Sequence, residues 1–326
     1  MLIVCMNTRL KPVIMVLLLF HLAHAESNQQ RAEELLKRAT QGSSLDPSWG
    51  EPYRIQYRFR VTAFGAVDAP GTYLRIWGGP GRVRQEISVP GFSETIVLNG
   101  NRKWTLRNTV AEPNVLIWLM RGLQPNPRWG SGEVAHAIRA EKHGAQSFQC
   151  LDWGPKNGGW RTFCFDDATG ALTAMTDLGT RFEYSEWQQI NSRLAPRRVK
   201  MLGDEHQEVD AELVSLEPHS SDESTFSEPP GAQEWTHCEH QSMPVVTRDP
   251  WPDFGPWGPK QYSVEVYGVI ETDGRVDNVA IVSSSDKELE KPALAAFSRW
   301  RFRPATCERV PIRTETRTAF RTTNFR

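Results

Sequence analysis

Residues 53–61, YRIQYRFRV, alternate without a break. Tyr53, Ile55, Tyr57, Phe59 and Val61 fall on one side, and Arg54, Gln56, Arg58 and Arg60 on the other. A period of two with one apolar and one charged side is the pattern of a half-buried antiparallel strand. Further strand-like segments follow at short spacing: TYLRIW, RVRQEISV, ETIVL and KWTLR, then SFQCLDW, WRTFCFD, ALTAMTD, TRFEYSEWQ, RRVKML and EVDAELVSL. The GGPG at 78–81 and the NGN at 99–101 are hairpin turn signals. Helical patterns are few, at NQQRAEELLKRAT and NVLIWLMRGL. The pattern predicts one long antiparallel meander, a curved sheet or half-barrel whose apolar face is buried against helices.

The stretch 217–235, EPHSSDESTFSEPPGAQEW, is rich in Ser, Pro and acids and has no Lys or Arg. Composition of this kind predicts a linker. It divides a front domain over 30–216 from a back domain over 236–326. In the back domain QYSVEVYGVI and VDNVAIVS flank an ETDGRV turn, and DKELEKPALAAFSRW is helical in pattern. Pro292 is tolerated only in a first turn, so the helix is expected from about Glu288 to Arg299, with Leu289, Ala293, Ala296, Phe297 and Trp300 buried. RFRPA and VPIRTETRTAFRTT read as strands. The predicted class is α+β, a front curved antiparallel sheet joined to a two-layer unit with one helix on a small sheet.

At the N-terminus Arg9 and Lys11 precede an apolar run from Val13 to Ala23 that ends in Ala23-His24-Ala25. This is the form of a secretory signal over 1–25, cleaved before Glu26. The run is about half of the ~20 residues a membrane-spanning helix needs. The formal net charge of −1 provides no global attraction toward nucleic acid. Beyond the signal lie Cys150, Cys164, Cys238 and Cys307, and an even count in an exported chain points to disulfides. Three pairings are open by count. Cys150 and Cys164 lie on consecutive predicted strands joined by GPKNGG, which favours a bridge across that hairpin.

The string VIETDGRVDNVAIVSSSDKELEKPALAAFSRWRFRPATCERVPIRTETRTAF resembles the C-terminal domain of TonB-family energy transducers, from about Tyr262 onward, with PVVTRDPWP as its lead-in. The resemblance implies a periplasmic interaction domain that adds an edge strand to an extended segment of an outer-membrane receptor. The strand from about Ile312 onward is the candidate edge, through Ile312, Arg313, Thr314, Glu315, Thr316, Arg317 and Thr318. Where the transducers carry an uncleaved anchor and a long proline-rich spacer, this sequence is expected to have a cleaved signal and a short linker, which argues against force transmission, and DFGPWGPKQ replaces the short helix before the first long strand. TYLRIWGGPGRVRQEISVPGFSETIVLNGNRKWTLRN is similar to the LolA/LolB type of lipoprotein carrier. That resemblance implies a half-barrel over an apolar cavity for acyl chains, and so an alternative role as a lipid or lipoprotein carrier.

His237, Cys238 and His240 form the most metal-like cluster, two histidines three apart around a thiol. The competing reading bridges Cys238 to Cys307, which an oxidising compartment favours. No nucleophile elbow, zinc-protease helix or Ser/His/Asp set appears, and WGGPGRV lacks the helix and Lys-Ser/Thr of a phosphate loop. The expectation is a non-catalytic protein without cofactor. In the tail, Arg313, Arg317 and Arg321 share one strand face with Glu315, which reads as a solvated face or as steering toward an acidic partner or anionic head groups. Twelve tryptophans are many for this length, and Trp77, Trp104, Trp118, Trp129 and Trp153 are candidates to line a cavity.

Overall fold

The computed structural model describes residues 28–39, 51–63, 66–124, 132–190, 193–203, 208–220, 222–238, 240–254 and 262–322. The predicted signal and Trp129 lie outside these residues. Among the described residues no helix is long and apolar enough to cross a membrane. The chain is α+β and mostly antiparallel sheet, with a separate small sheet in its C-terminal region. Its backbone contacts gather into two compact units, Met1–Ser48 with Met120–Glu212, and Trp49–Leu119 with Leu213–Arg326. Each unit therefore draws on segments far apart in sequence.

A helix α1 over 28–39 opens the described chain. The second unit then begins with β1 (Tyr53–Ala63), β2 (Ala66–Trp77), β3 (Arg82–Val89), β4 (Phe92–Asn99) and β5 (Arg102–Arg107), each antiparallel to the one before. Ile55, Tyr57, Phe59 and Val61 are buried, as the alternation predicts. Gly79 takes φ +110° in the turn between β2 and β3, a conformation that side chains disfavour. Helix α2 (Asn114–Leu123) follows.

The first unit holds β6 (Glu133–His143), β7 (Gln146–Pro155), β8 (Arg161–Asp166), β9 (Leu172–Asp177), β10 (Thr180–Ile190), β11 (Arg193–Leu202) and the start of β12 (Glu208–Pro218), again in sequence order. Leu151, Trp153, Phe163, Phe165 and Phe182 are almost fully buried here. Cys150 lies directly opposite Cys164 across β7 and β8, Cα to Cα 4.0 Å, and the two are joined by a disulfide.

The stretch expected to be a linker is structured in the second unit. Asp222 caps a short 3-10 turn, Glu223–Phe226, by accepting a hydrogen bond from the Ser224 amide at 3.0 Å. Phe226 is fully buried against Ile76, Val97 and Trp104. Gly78 makes this approach possible, because a Cβ there would lie 2.5 Å from the Phe226 ring. β13 (Gln233–Thr236) then pairs with β5, and Trp235 is buried with Tyr267 and Val269. Average composition hid this outcome. Two aromatic side chains in a polar stretch anchor it, since each buries enough apolar area to offset the ordering of its neighbours.

The rest of the second unit is the small sheet and its surroundings. β14 (Val245–Arg248) precedes β15 (Tyr262–Ile270) and β16 (Val276–Ser284); a 3-10 turn leads into α3 (Glu290–Phe297), and β17 (Arg301–Arg303), β18 (Ala305–Cys307), β19 (Val310–Ile312) and β20 (Thr314–Thr322) complete it. Strands are ordered β16-β15-β20, with separate β14-β17 and β18-β19 pairs. The helix is shorter than predicted. Asp286 caps the 3-10 turn by accepting from the Glu288 amide at 2.9 Å, Pro292 sits in the first turn of α3, and Trp300 lies beyond its end. Gly274 of the D-G-R-V turn has φ +81°, and a Cβ there would run into the Phe302 carbonyl. VPIRTETRTAFRTT is not one strand: Ile312 closes the β18–β19 hairpin, and β20 begins after Arg313.

Candidate partner-binding edge

β20 is nine residues long and rich in threonine, whose branched side chain suits a pleated surface. It pairs with β15 from Ile270↔Thr314 to Tyr262↔Thr322. Among the described strands it has no partner along its other edge. Register assigns its two faces. Thr314, Thr316, Thr318 and Phe320 lie opposite Ile270, Gly268, Val266 and Val264, on the face covered by α3. Glu315 and Arg317 lie opposite Val269 and Tyr267, on the other face.

That second face is not the solvated surface expected from the arginine spacing. Arg313 donates through Nε and Nη2 to the Glu271 carboxylate at 2.9 Å and sits over the Trp235 ring, 5.3 Å from its centroid. Glu315 accepts from the Tyr267 hydroxyl at 2.8 Å and from Arg107 Nη1 at 3.1 Å. Arg317 donates to Asn114 Oδ1 and to the Glu112 carbonyl, both at 2.6 Å. Asn114 in turn donates to Glu265. These guanidiniums are engaged within the chain, which removes the simple form of steering by Arg313 and Arg317. Arg321 alone of the three stays exposed. The reason is non-local: the segment 108–114 and Trp235, both distant in sequence, cover this face.

At the centre lies Arg107, its side chain 10% exposed, bonded through Nε to Glu94 Oε1 at 2.6 Å as well as to Glu315. Burial works against the Arg107 charge, but Glu94 and Glu315 beside it more than compensate and raise its pKa. Burial also opposes the Glu315 charge, and Arg107, Lys103 and the Tyr267 hydroxyl outweigh it, holding the carboxyl below its ordinary range. Glu112 is the opposite case: burial first, then Glu94, push it up to about 8 against Arg107 and Arg317. Burial lowers the pKa of Arg317. A groove of about 460 Å³ opens beside the network, lined by Thr105, Leu106, Val110, Trp235, Val279 and Glu315 among others.

Sequence reasoning missed Glu94, Arg107, Glu112, Asn114 and Tyr267. One signal was available for Glu94: it falls in phase with Phe92 and Ile96 on an inward stripe of β4, and its cross-strand neighbour is Arg107. A charge on an apolar stripe calls for a partner.

Cys238 is bonded to Cys307, Cα to Cα 5.8 Å, so the His237–His240 run has no thiolate to offer a metal. Glu141, Cys150 and Cys164 bring three ligand atoms within 4.8 Å of one another, but the two sulfurs there are bonded to each other. The described tryptophans of the cavity expectation sit in side-chain packing. Trp77 stacks on Tyr53 at 5.8 Å, Trp104 packs with Phe226, Trp153 lies 5.3 Å from Phe163 and donates to Glu133, and Trp118 is half-buried in α2.

Residues 260–322 match the family described as Gram-negative bacterial TonB protein C-terminal. No curated protein matches the chain. The solved structures it resembles include a LolA superfamily protein of Nitrosomonas europaea, with 10% identity, TM-score 0.44, and 60% of this chain and 97% of that chain covered. They also include the MucA/MucB complex of Pseudomonas aeruginosa, with 12% identity, TM-score 0.28, and 75% of this chain and 81% of that chain covered.

Proposed function

We propose that residues 236–326 are the binding module of an exported, non-catalytic protein of the cell envelope, and that an extended segment of an envelope protein adds to the free edge of β20. The observation that carries this reading is the one-sided ladder of β20: nine residues paired with β15 and with no other described strand. An unpaired row of backbone donors and acceptors is the template that strand addition uses. The family match over 260–322 supports the same mode, and the partner class is then an outer-membrane receptor or a periplasmic protein. Two disulfides agree with an oxidising compartment. Because Arg313, Glu315 and Arg317 are engaged internally, recognition falls to the β20 backbone.

The test places a photo-activated cross-linking residue at Thr316 or Thr318 of the full exported chain in cells, with the exposed Trp160 as the control position. Adducts from both β20 positions that map to neighbouring residues of one extended segment are expected. An adduct pattern no different from that at Trp160 overturns the reading.

A further inference from the structure

We propose that the contact between the charged face of the C-terminal sheet and the segment 108–114 is a proton-operated latch, closed while Glu112 carries a proton and released when Glu112 ionises. The geometry of the cluster leads there. Glu112 is 8% exposed and Glu94 3%, and Glu112 Oε1 and Glu94 Oε2 are both shielded from solvent and without a hydrogen-bond partner among the described residues. An ionised carboxylate oxygen in that position loses its hydration and gains no hydrogen bond in return, only the through-space attraction of Arg107 and Arg317.

The charges around Glu112 come from every strand packed there. Glu94 reaches it from β4, Arg107 from β5, and Arg317 and Glu315 from β20. From β15, Glu265 acts on Arg317 and Tyr267 is bonded to Glu315; from β5, Lys103 also acts on Glu315. Four carboxylates thus face two guanidiniums and one ammonium. A single proton evens the count. Arg107 is committed to Glu94 and Glu315, and Arg317 spends its donors on the Asn114 side chain and on the Glu112 carbonyl. Among the described residues neither guanidinium is bonded to Glu112 Oε1, which makes Glu112 the member that takes the proton.

The direction follows from linkage. In the closed form Glu112 titrates near 8, above its ordinary 4.5, because burial and then Glu94 disfavour its charge. The closed form therefore binds a proton that the solvated, open form gives up. The contribution of Glu112 to closure is complete below about pH 4.5, weakens as pH rises through the interval between those values, and changes no further above it. For the strand-binding reading, on which this consequence alone rests, ionisation would free Glu315 and Arg317 for a partner lying along β20.

Hydrogen exchange of the full chain, corrected for intrinsic rates, tests the latch. Protection of peptides covering 105–114 and 313–320 is expected to fall by about tenfold per pH unit between pH 6 and 8. Peptides across the β7–β8 hairpin should not change. Glu112→Gln should hold protection flat over the range. Unchanging protection in the wild type, or a pH dependence that persists in Glu112→Gln, overturns the proposal. Carbon-13 NMR of the unmodified chain is a second reading that needs no variant: a Glu112 carboxyl titrating near its ordinary value also overturns it. Neither measurement depends on a partner, so loss of the β20 cross-links would leave the latch standing, and the reverse.

Discussion

The two faces of the small C-terminal sheet are built by different physics. Under α3, Val264, Val266, Ile270, Phe297, Phe302 and Phe320 form a continuous apolar core. Gly268 lets the helix come close, since a Cβ there would stand 2.8 Å from the Phe297 ring. On the opposite face Glu265, Tyr267, Glu315 and Arg317 meet Glu94, Arg107, Glu112 and Asn114, and Arg313 pairs with Glu271. The first face is stabilised in proportion to buried area and has no preferred pH. The second depends on direction, on protonation and on every member being present. The difference separates what holds the sheet together from what can be switched.

Phe297→Ala attacks the apolar face and should have the largest effect. Emptying a fully buried phenylalanine site costs about 3–5 kcal/mol. Denaturant unfolding should report the same loss at mildly acidic and mildly basic pH, and a strong pH dependence would mean that the two faces are not separable in this way.

Arg107→Ala attacks the charged face. Removing one side of a buried pair while Glu94 and Glu315 stay behind should cost about 3 kcal/mol near neutral pH. Here the sign of the pH effect matters. Glu315 is held below its ordinary range, so its contribution is present above about pH 4.5 and is lost as pH falls through the depressed value. The variant lacks that contribution, and the gap between wild type and variant should close in acid. Unfolding curves across the acid range check this; a gap that widens there would refute the ion-pair account.

Arg102→Ala is the smallest test. Its pair with Glu234, at 2.6 Å, joins two half-exposed side chains, and the guanidinium also lies over the Trp104 ring. Exposed pairs are screened and add little. The unfolding midpoint should not move measurably at physiological ionic strength, and a clear shift would show that the β5–β13 pairing depends on this side chain.

Much of the fold was legible in the residues. The unbroken alternation of 53–61 places β1 and its buried side, and the spacing of Cys150 and Cys164 places them on facing strands. The D-G-R-V turn, Pro292 and the apolar positions from Leu289 to Phe297 locate the hairpin and the helix of the C-terminal sheet. These are local signals, each read within a few residues. The candidate site was legible only in part. Register along β20 could be read, but Arg313, Glu315 and Arg317 looked solvated because nothing nearby in sequence covers them. Phe226 and Trp235 were lost in a polar stretch for the same reason.

The sequence by itself determined the periods, the turns and therefore which side chains share a face. It also placed Cys150, Cys164, Cys238 and Cys307 and the recognisable pattern near the C-terminus. Only the tertiary structure decided which distant segment lies on each face, and so whether a charged row is hydrated or enclosed. Periodicity is written in neighbouring residues, whereas dehydration of Glu112 is set by strands drawn from opposite ends of the chain.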